Sequence, residues 1–231
     1  MSLSPVLILF EIIVLVFSLS LHEAAHAWAA MRLGDATAFM LGRVTLNPAK
    51  HIDPWGTIVM PLIALISGFP LIGWARPCPI TLRNFRRVKR DDILTTLAGP
   101  LSNLLLAVVS LIGLVVLKHL PGIGEETVAA AVLMTRRVPV DMSTLPRIFP
   151  LALLLYYGIL TNVLLFCFNL IPLPPLDGSR IIRYFLPYAA GQMLDRIGNW
   201  GIFIIFLFAG WILFPIYLPV LGLFNHALAA L

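Results

Sequence analysis

The sequence predicts an all-α polytopic membrane protein, and three observations carry that expectation. Of the 231 residues, 60% are hydrophobic and only 12% are charged, with a mean hydropathy of +0.96, well outside the composition of soluble domains. Several apolar runs reach the ~20 residues needed to span the hydrocarbon core of a bilayer. The basic residues cluster beside those runs, so the net charge of +5 marks orientation in a lipid bilayer and not nucleic-acid binding. The same composition excludes disorder, collagen-like repeats and a disulfide-built scaffold. Cys78 lies in a basic stretch and Cys167 in an apolar one, so both are read as separate reduced thiols.

The elements follow in chain order. Pro5 to Leu33 is too long for a signal-peptide core and reads as a retained spanning helix. Residues 42–57 alternate weakly and end in a His-x-Asp-Pro turn, which admits a short β-hairpin or, equally, a loop that plugs the helices. Trp55 to Trp74 contains Pro61, Gly68, Pro70 and Gly73, which weaken a continuous helix. That segment is expected to be re-entrant or broken, with a full crossing as the rival. Further crossings are expected at Ile93–Leu117, Phe149–Ile171 and Ile197 to about Leu221, giving about four full transmembrane helices. No soluble domain is long enough to fold alone, so residues 1–231 are expected to form one membrane-embedded unit.

Chemistry begins inside the first helix, with His22-Glu23-Ala24-Ala25-His26. Histidines four residues apart share one helical face, so both imidazoles can reach one zinc ion while the intervening glutamate stands beside it as a base. With five histidines and four glutamates in the chain, this pattern is expected by chance about 0.002 times. Three ionisable residues inside a span are costly without a function. Catalytic zinc generally takes three protein ligands, and the leading candidate for the third is Asp177, in Asn169-Leu-Ile-Pro-Leu-Pro-Pro-Leu-Asp177-Gly178. Taken alone, an Asp-Gly after prolines is most often a surface turn.

On these residues the chain resembles the site-2 protease family, the intramembrane zinc metalloproteases of class M50. The resemblance rests on His22-Glu23-x-x-His26, Gly42-Arg43-Val44-Thr45-Leu46-Asn47-Pro48, His51-Ile52-Asp53-Pro54, Ala98-Gly99-Pro100-Leu101-Ser102-Asn103 and Asn169-x-x-Pro172-x-x-x-x-Asp177-Gly178. It implies zinc on His22, His26 and Asp177, Glu23 as catalytic base, and a membrane-spanning protein or peptide as substrate. The chain looks like the compact form of the family, without an inserted PDZ or nucleotide-binding module. A non-catalytic scaffold of the same fold would be marked by loss of the base, and Glu23 is present. A transporter would spread its ionisable residues over several helices and depths.

Residues that build one site must share one depth. That requires residues 34–91 to begin and end on one side of the membrane, which favours the re-entrant reading of 55–74. Arg76, Arg83, Arg86, Arg87, Lys89 and Arg90 then join Arg180, Arg183 and Arg196 on that side, expected to be the cytosolic face of a prokaryotic plasma or inner membrane. Asn103 and Asn169 are amides in apolar helices, with helix-to-helix bonding or contact to the substrate or oxyanion as alternative roles. His51 is expected to face solvent from its loop, or else to assist as an oxyanion donor or substrate contact. Glu11 lies about 16 Å along the helix from His22 at 1.5 Å per residue, too far to reach the metal.

Overall fold

The computed structural model describes residues 5–67, 73–121, 124–201, 204 and 207–231. Three helices are long and apolar enough to cross a membrane: α1 (Pro5–Leu33), α4 (Val88–Lys118) and α6 (Phe149–Asn169). Their 29, 31 and 21 residues correspond to about 44, 47 and 32 Å at 1.5 Å per residue, each at least the thickness of a hydrocarbon core. Shorter helices are α2 (Thr37–Met40), α3 (Met60–Ser67), α5 (Gly124–Thr135), α7 (Asp177–Arg183), α8 (Tyr188–Ile197), α9 (Ala209–Ile212) and α10 (Phe214–Ala230).

Side-chain pairing fixes the directions of the three long helices. His26 meets Thr95 and His22 meets Asn103, so α1 and α4 are antiparallel. Asn103 meets Asn162, and a Cβ on Gly113 would lie 3.0 Å from Leu155, so α4 and α6 are antiparallel as well. The C-terminal part of α1, the N-terminal part of α4 and the C-terminal end of α6 therefore lie at one level. Small residues let the backbones approach, since a Cβ on Gly158 would sit 2.5 Å from Ser110 Oγ. Tyr156, Ile159 and Val163 of α6 are almost wholly buried, which makes α6 the central helix of the trio.

One of the two alternatives read for residues 42–57 is excluded. The β-hairpin at 42–57 is not formed: those residues, all described, contain no strand. Asn47 accepts the N–H of Ala49, and Asp53 accepts those of Trp55 and Gly56. Each thereby caps a turn that starts on proline, a 3₁₀ turn at Pro48–Lys50 and a π-helical turn at Pro54–Val59. Asn-Pro and Asp-Pro act here as helix starts, with Pro at the first helical position. Among the described residues three helices are long and apolar enough to cross. The crossing expected from Ile197 to about Leu221 includes residues 202, 203, 205 and 206, which lie outside the described residues; beyond them the chain turns at Leu213 and continues as α10 with Pro215 in its first turn.

The segment 55–74 enters through the π-helical turn and α3; residues 68–72, with Gly68 and Pro70, lie outside the described residues. Its two ends meet. Trp74 donates its N–H to the Gly56 carbonyl at 3.2 Å, the Thr57 hydroxyl donates to the Trp74 carbonyl at 2.9 Å, and Arg76 donates its N–H to the His51 carbonyl at 2.8 Å. Glycines allow that approach, since a Cβ on Gly56 would collide with Trp74 at 2.4 Å.

Candidate metal centre

On α1, His22 and His26 occupy one face, 4% and 5% exposed. Each ring is fixed by α4. His26 Nδ1 donates to the Thr95 carbonyl at 2.8 Å, a bond that only a protonated Nδ1 can make. His22 Nδ1 lies 2.6 Å from Asn103 Oδ1. The Asn103 amide nitrogen faces the Asn162 amide oxygen at 2.9 Å and the Ser18 carbonyl at 3.4 Å, so its oxygen is turned to His22 and accepts. Both imidazoles, as neutral rings, then direct their Nε2 lone pairs inward.

Those lone pairs converge. The Nε2 atoms are 3.0 Å apart, and Asp177 Oδ2 lies 3.2 Å from His22 Nε2 and 3.3 Å from His26 Nε2. Asp177 Oδ2 is buried with no hydrogen-bond partner. Two imidazole nitrogens and a carboxylate oxygen at these separations form a donor set for one cation. Ligands at about 2.0–2.1 Å from a tetrahedral zinc are separated by about 3.3–3.4 Å, close to the triangle observed. The residues fit zinc, with the fourth tetrahedral position left to a water or a substrate oxygen.

Local sequence explains how Asp177 arrives there. Pro172, Pro174 and Pro175 end α6, and α7 folds back so closely that a Cβ on Gly178 would lie 2.3 Å from the Leu170 carbonyl oxygen. Asp177-Gly178 is thus a close packing of two helix ends and not a surface turn. Arg180 donates to Asp92 Oδ1 at 2.5 Å, and Tyr184 donates its hydroxyl to Asp92 Oδ2 at 2.9 Å, which ties α7 to the start of α4.

Glu23 stands one residue round the helix from His22. Its carboxylate lies within 4.8 Å of the coordinating atoms of both histidines, and Oε2 accepts the N–H of Cys78 at 2.8 Å. It faces a cavity of about 530 Å³ that also takes in His22, His26, Ala75, Cys78, Asn169 and Asp177. Burial pushes the Cys78 thiol up to about 12, so that thiol is protonated and is no nucleophile at neutral pH.

Of the remaining sequence candidates, Asn169 lines the cavity while its amide donates to the Leu165 carbonyl at 2.9 Å. Asn103 is fully buried and serves His22. His51 is 2% exposed, donates from Nε2 to the Thr45 carbonyl at 2.9 Å, and does not line the cavity. Sequence reasoning missed Asn162, although an amide in a mid-span apolar helix is the same signal that singled out Asn103. It also missed Gly99, where a Cβ would lie 2.3 Å from His26 Nε2 and 2.6 Å from His22 Nε2; the glycine is required because the imidazoles occupy its side-chain space. The Thr95 carbonyl and the Cys78 N–H carry no signal in sequence, because any residue supplies them.

Comparison with known proteins follows the same lines. The model of Peptidase family M50 matches residues 10–213. The chain is 41% identical over 208 residues to "Putative zinc metalloprotease YwhC" of Bacillus subtilis (strain 168), covering 90% of this chain and 80% of that one. It is 38% identical over 95 residues to "Putative zinc metalloprotease Rip2" of Mycolicibacterium smegmatis (strain ATCC 700084 / mc(2)155), covering 41% of this chain and 35% of that one. No solved structure gives a significant match.

Proposed function

The chain belongs to peptidase family M50, and from that premise we propose that it is an intramembrane zinc endopeptidase that hydrolyses peptide bonds of membrane-spanning proteins or peptides. The observation that carries this reading is the convergence of His22 Nε2, His26 Nε2 and Asp177 Oδ2 beside the Glu23 carboxylate. Zinc held by those three atoms supplies a Lewis acid that polarises the scissile carbonyl and acidifies a water. Glu23 takes the proton as the water oxygen bonds to the carbonyl carbon, and returns it to the amide nitrogen as the C–N bond breaks. Asn103 holds the His22 ring in the tautomer that presents Nε2.

A helical substrate hides its amides in internal hydrogen bonds, so it must unwind and lie extended across the site. The non-helical chain at 73–79 is suited to receive it in extended form. Trp74 and Arg76 direct their main-chain groups toward Gly56, Thr57 and His51. In extended chain the groups of Ala75 therefore point the opposite way, and Ala75 lines the cavity. Asn169, with a second amide hydrogen and its oxygen free of the Leu165 bond, is placed against the substrate main chain.

The whole of 1–231 is read as one catalytic unit in a cell membrane. The site faces the cytosol, because the basic residues from Arg76 to Arg90 and from Arg180 to Arg196 lie at the helix ends that carry it. The test compares membrane-protein fragments in cells carrying the active chain and the Glu23→Gln variant. Fragments dependent on the active chain are expected, with turnover falling at least about 10²-fold in Glu23→Gln while zinc is retained. Unchanged turnover in that variant would contradict the assigned chemistry.

A further inference from the structure

Arg43 is a buried charge with an unusual set of partners. It is 7% exposed, and among the described residues its guanidinium forms no ion pair. Three main-chain carbonyls take its N–H groups instead. Nη1 donates to Lys50 at 2.5 Å, while Nη2 donates to Arg76 and, at 3.2 Å, to Pro77. An arginine desolvated without a carboxylate is expensive, so its position needs an explanation beyond packing.

The Pro77 carbonyl and the Cys78 N–H are the two ends of one peptide group. Arg43 holds the carbonyl end, and the N–H end donates to Glu23 Oε2 at 2.8 Å. The sequence guanidinium, peptide C=O, peptide N–H, carboxylate is a continuous chain of hydrogen bonds from a buried cation to the proposed base. A cation on the carbonyl oxygen polarises the peptide and strengthens the bond donated at its other end. It also fixes the plane of that peptide, and with it the rotamer of Glu23.

We propose that Arg43 is a positioning residue for Glu23, acting through the Pro77–Cys78 peptide group to hold one carboxylate oxygen and leave the other directed into the cavity. The inference rests on the reading of Glu23 as the base. It also gives a physical role to the Gly42-Arg43 segment, which lies outside the metal centre.

The experiment is a double-mutant cycle on the full-length protein in lipid, with zinc content and steady-state cleavage of a transmembrane substrate as readouts. Arg43→Gln removes the cation, and Cys78→Pro removes the donated N–H together with the thiol between Pro77 and Pro79, with Cys78→Ala as the control that removes the thiol alone. Arg43→Gln and Cys78→Pro are each expected to lose about 10–100-fold in kcat with KM changed less than about 3-fold, and to keep about one zinc per chain. The double variant is expected to be no worse than Cys78→Pro alone, because both remove the same relay. Arg43→Lys, which keeps the charge, is expected to recover at least about 5-fold over Arg43→Gln.

Losses that multiply in the double variant, or wild-type kcat in either single variant, would overturn the relay. Failure of the base reading is distinguished separately, since it would appear as full turnover in Glu23→Gln.

Discussion

The three long helices and the irregular chain that covers them solve the same problem in opposite ways. In α1, α4 and α6 the helical backbone pairs largely with itself, and the polar groups it offers serve the site: the Asn103 side chain and the Thr95 carbonyl each fix one imidazole. Between α1 and α4 the backbone cannot satisfy itself, and buried charges are used on it. Asp35 gathers donors, taking the N–H groups of Thr37 and Thr81 and the side chains of Thr37 and Asn84. Arg43 gathers carbonyls. Irregular chain at membrane depth is tolerated only where protein groups pair its backbone, and here one buried acid and one buried base do so. Side-chain changes in the helices should therefore act on the metal, and those in the loops on stability or on Glu23.

The largest effect that sharpens this contrast is expected at Gly99. A methyl group there would lie 2.3 and 2.6 Å from the two Nε2 atoms, and the rings cannot retreat because both Nδ1 atoms are anchored. Gly99→Ala should lose most of its zinc, and cleavage should fall at least about 100-fold, as a displacement of about 1 Å does elsewhere. Normal zinc content in that variant would separate the glycine from the site.

Next comes the anchor of His22. Asn103→Ala removes the acceptor that sets its tautomer, and zinc affinity measured by chelator competition should fall about 10–100-fold. Asn162→Ala leaves Asn103 in place but takes away its partner at 2.9 Å, and should cost less, no more than the lower end of that range, about 10-fold. An equal loss in both would mean that the network works as a packing unit and not as a graded relay.

The division between the two regions also explains what could be read from the sequence. His22, Glu23 and His26 are legible because one helix carries them at fixed spacing, and α1, α4 and α6 because apolar runs of that length have no other home. Asp177 needed a second motif, since the close approach that Gly178 permits is visible only in three dimensions. The region 42–57 stayed open between hairpin and loop because Asn47-Pro48 and Asp53-Pro54 are equally good signs of a hairpin turn and of a capped helical turn. His51 was misplaced for a related reason: whether a loop histidine is buried depends on chain that returns from elsewhere, in this case at Arg76.

The smallest effect on the metal, and a clear one on stability, is expected in the loops. Burial alone would raise the Asp35 carboxyl, but the Thr37 hydroxyl, the Thr81 N–H, the Asn84 amide and the Thr37 N–H hold it below the ordinary carboxylate value. A carboxyl lowered on folding stabilises the folded state above its unfolded value, about 3.9, and that stabilisation is lost as the pH falls toward the folded value. Asp35→Asn turns an amide N–H toward the Thr81 donor and should cost about 1–3 kcal/mol in thermal unfolding at pH 7, with zinc content intact. The acid-side loss of stability due to this group should disappear in the variant. A zinc-deficient Asp35→Asn protein that is otherwise as stable as the wild type would reverse the division drawn between the two regions.

The measurement closest to the centre of the account is metal content of the purified protein, wild type against Asp177→Ala, with His22→Ala alongside. About one zinc per chain is expected in the wild type, and loss of most of it in each variant, because a catalytic site of this kind rests on three protein ligands. Full zinc occupancy in Asp177→Ala would contradict the account, since Asp177 Oδ2 would then have no metal to explain its burial between the two imidazoles.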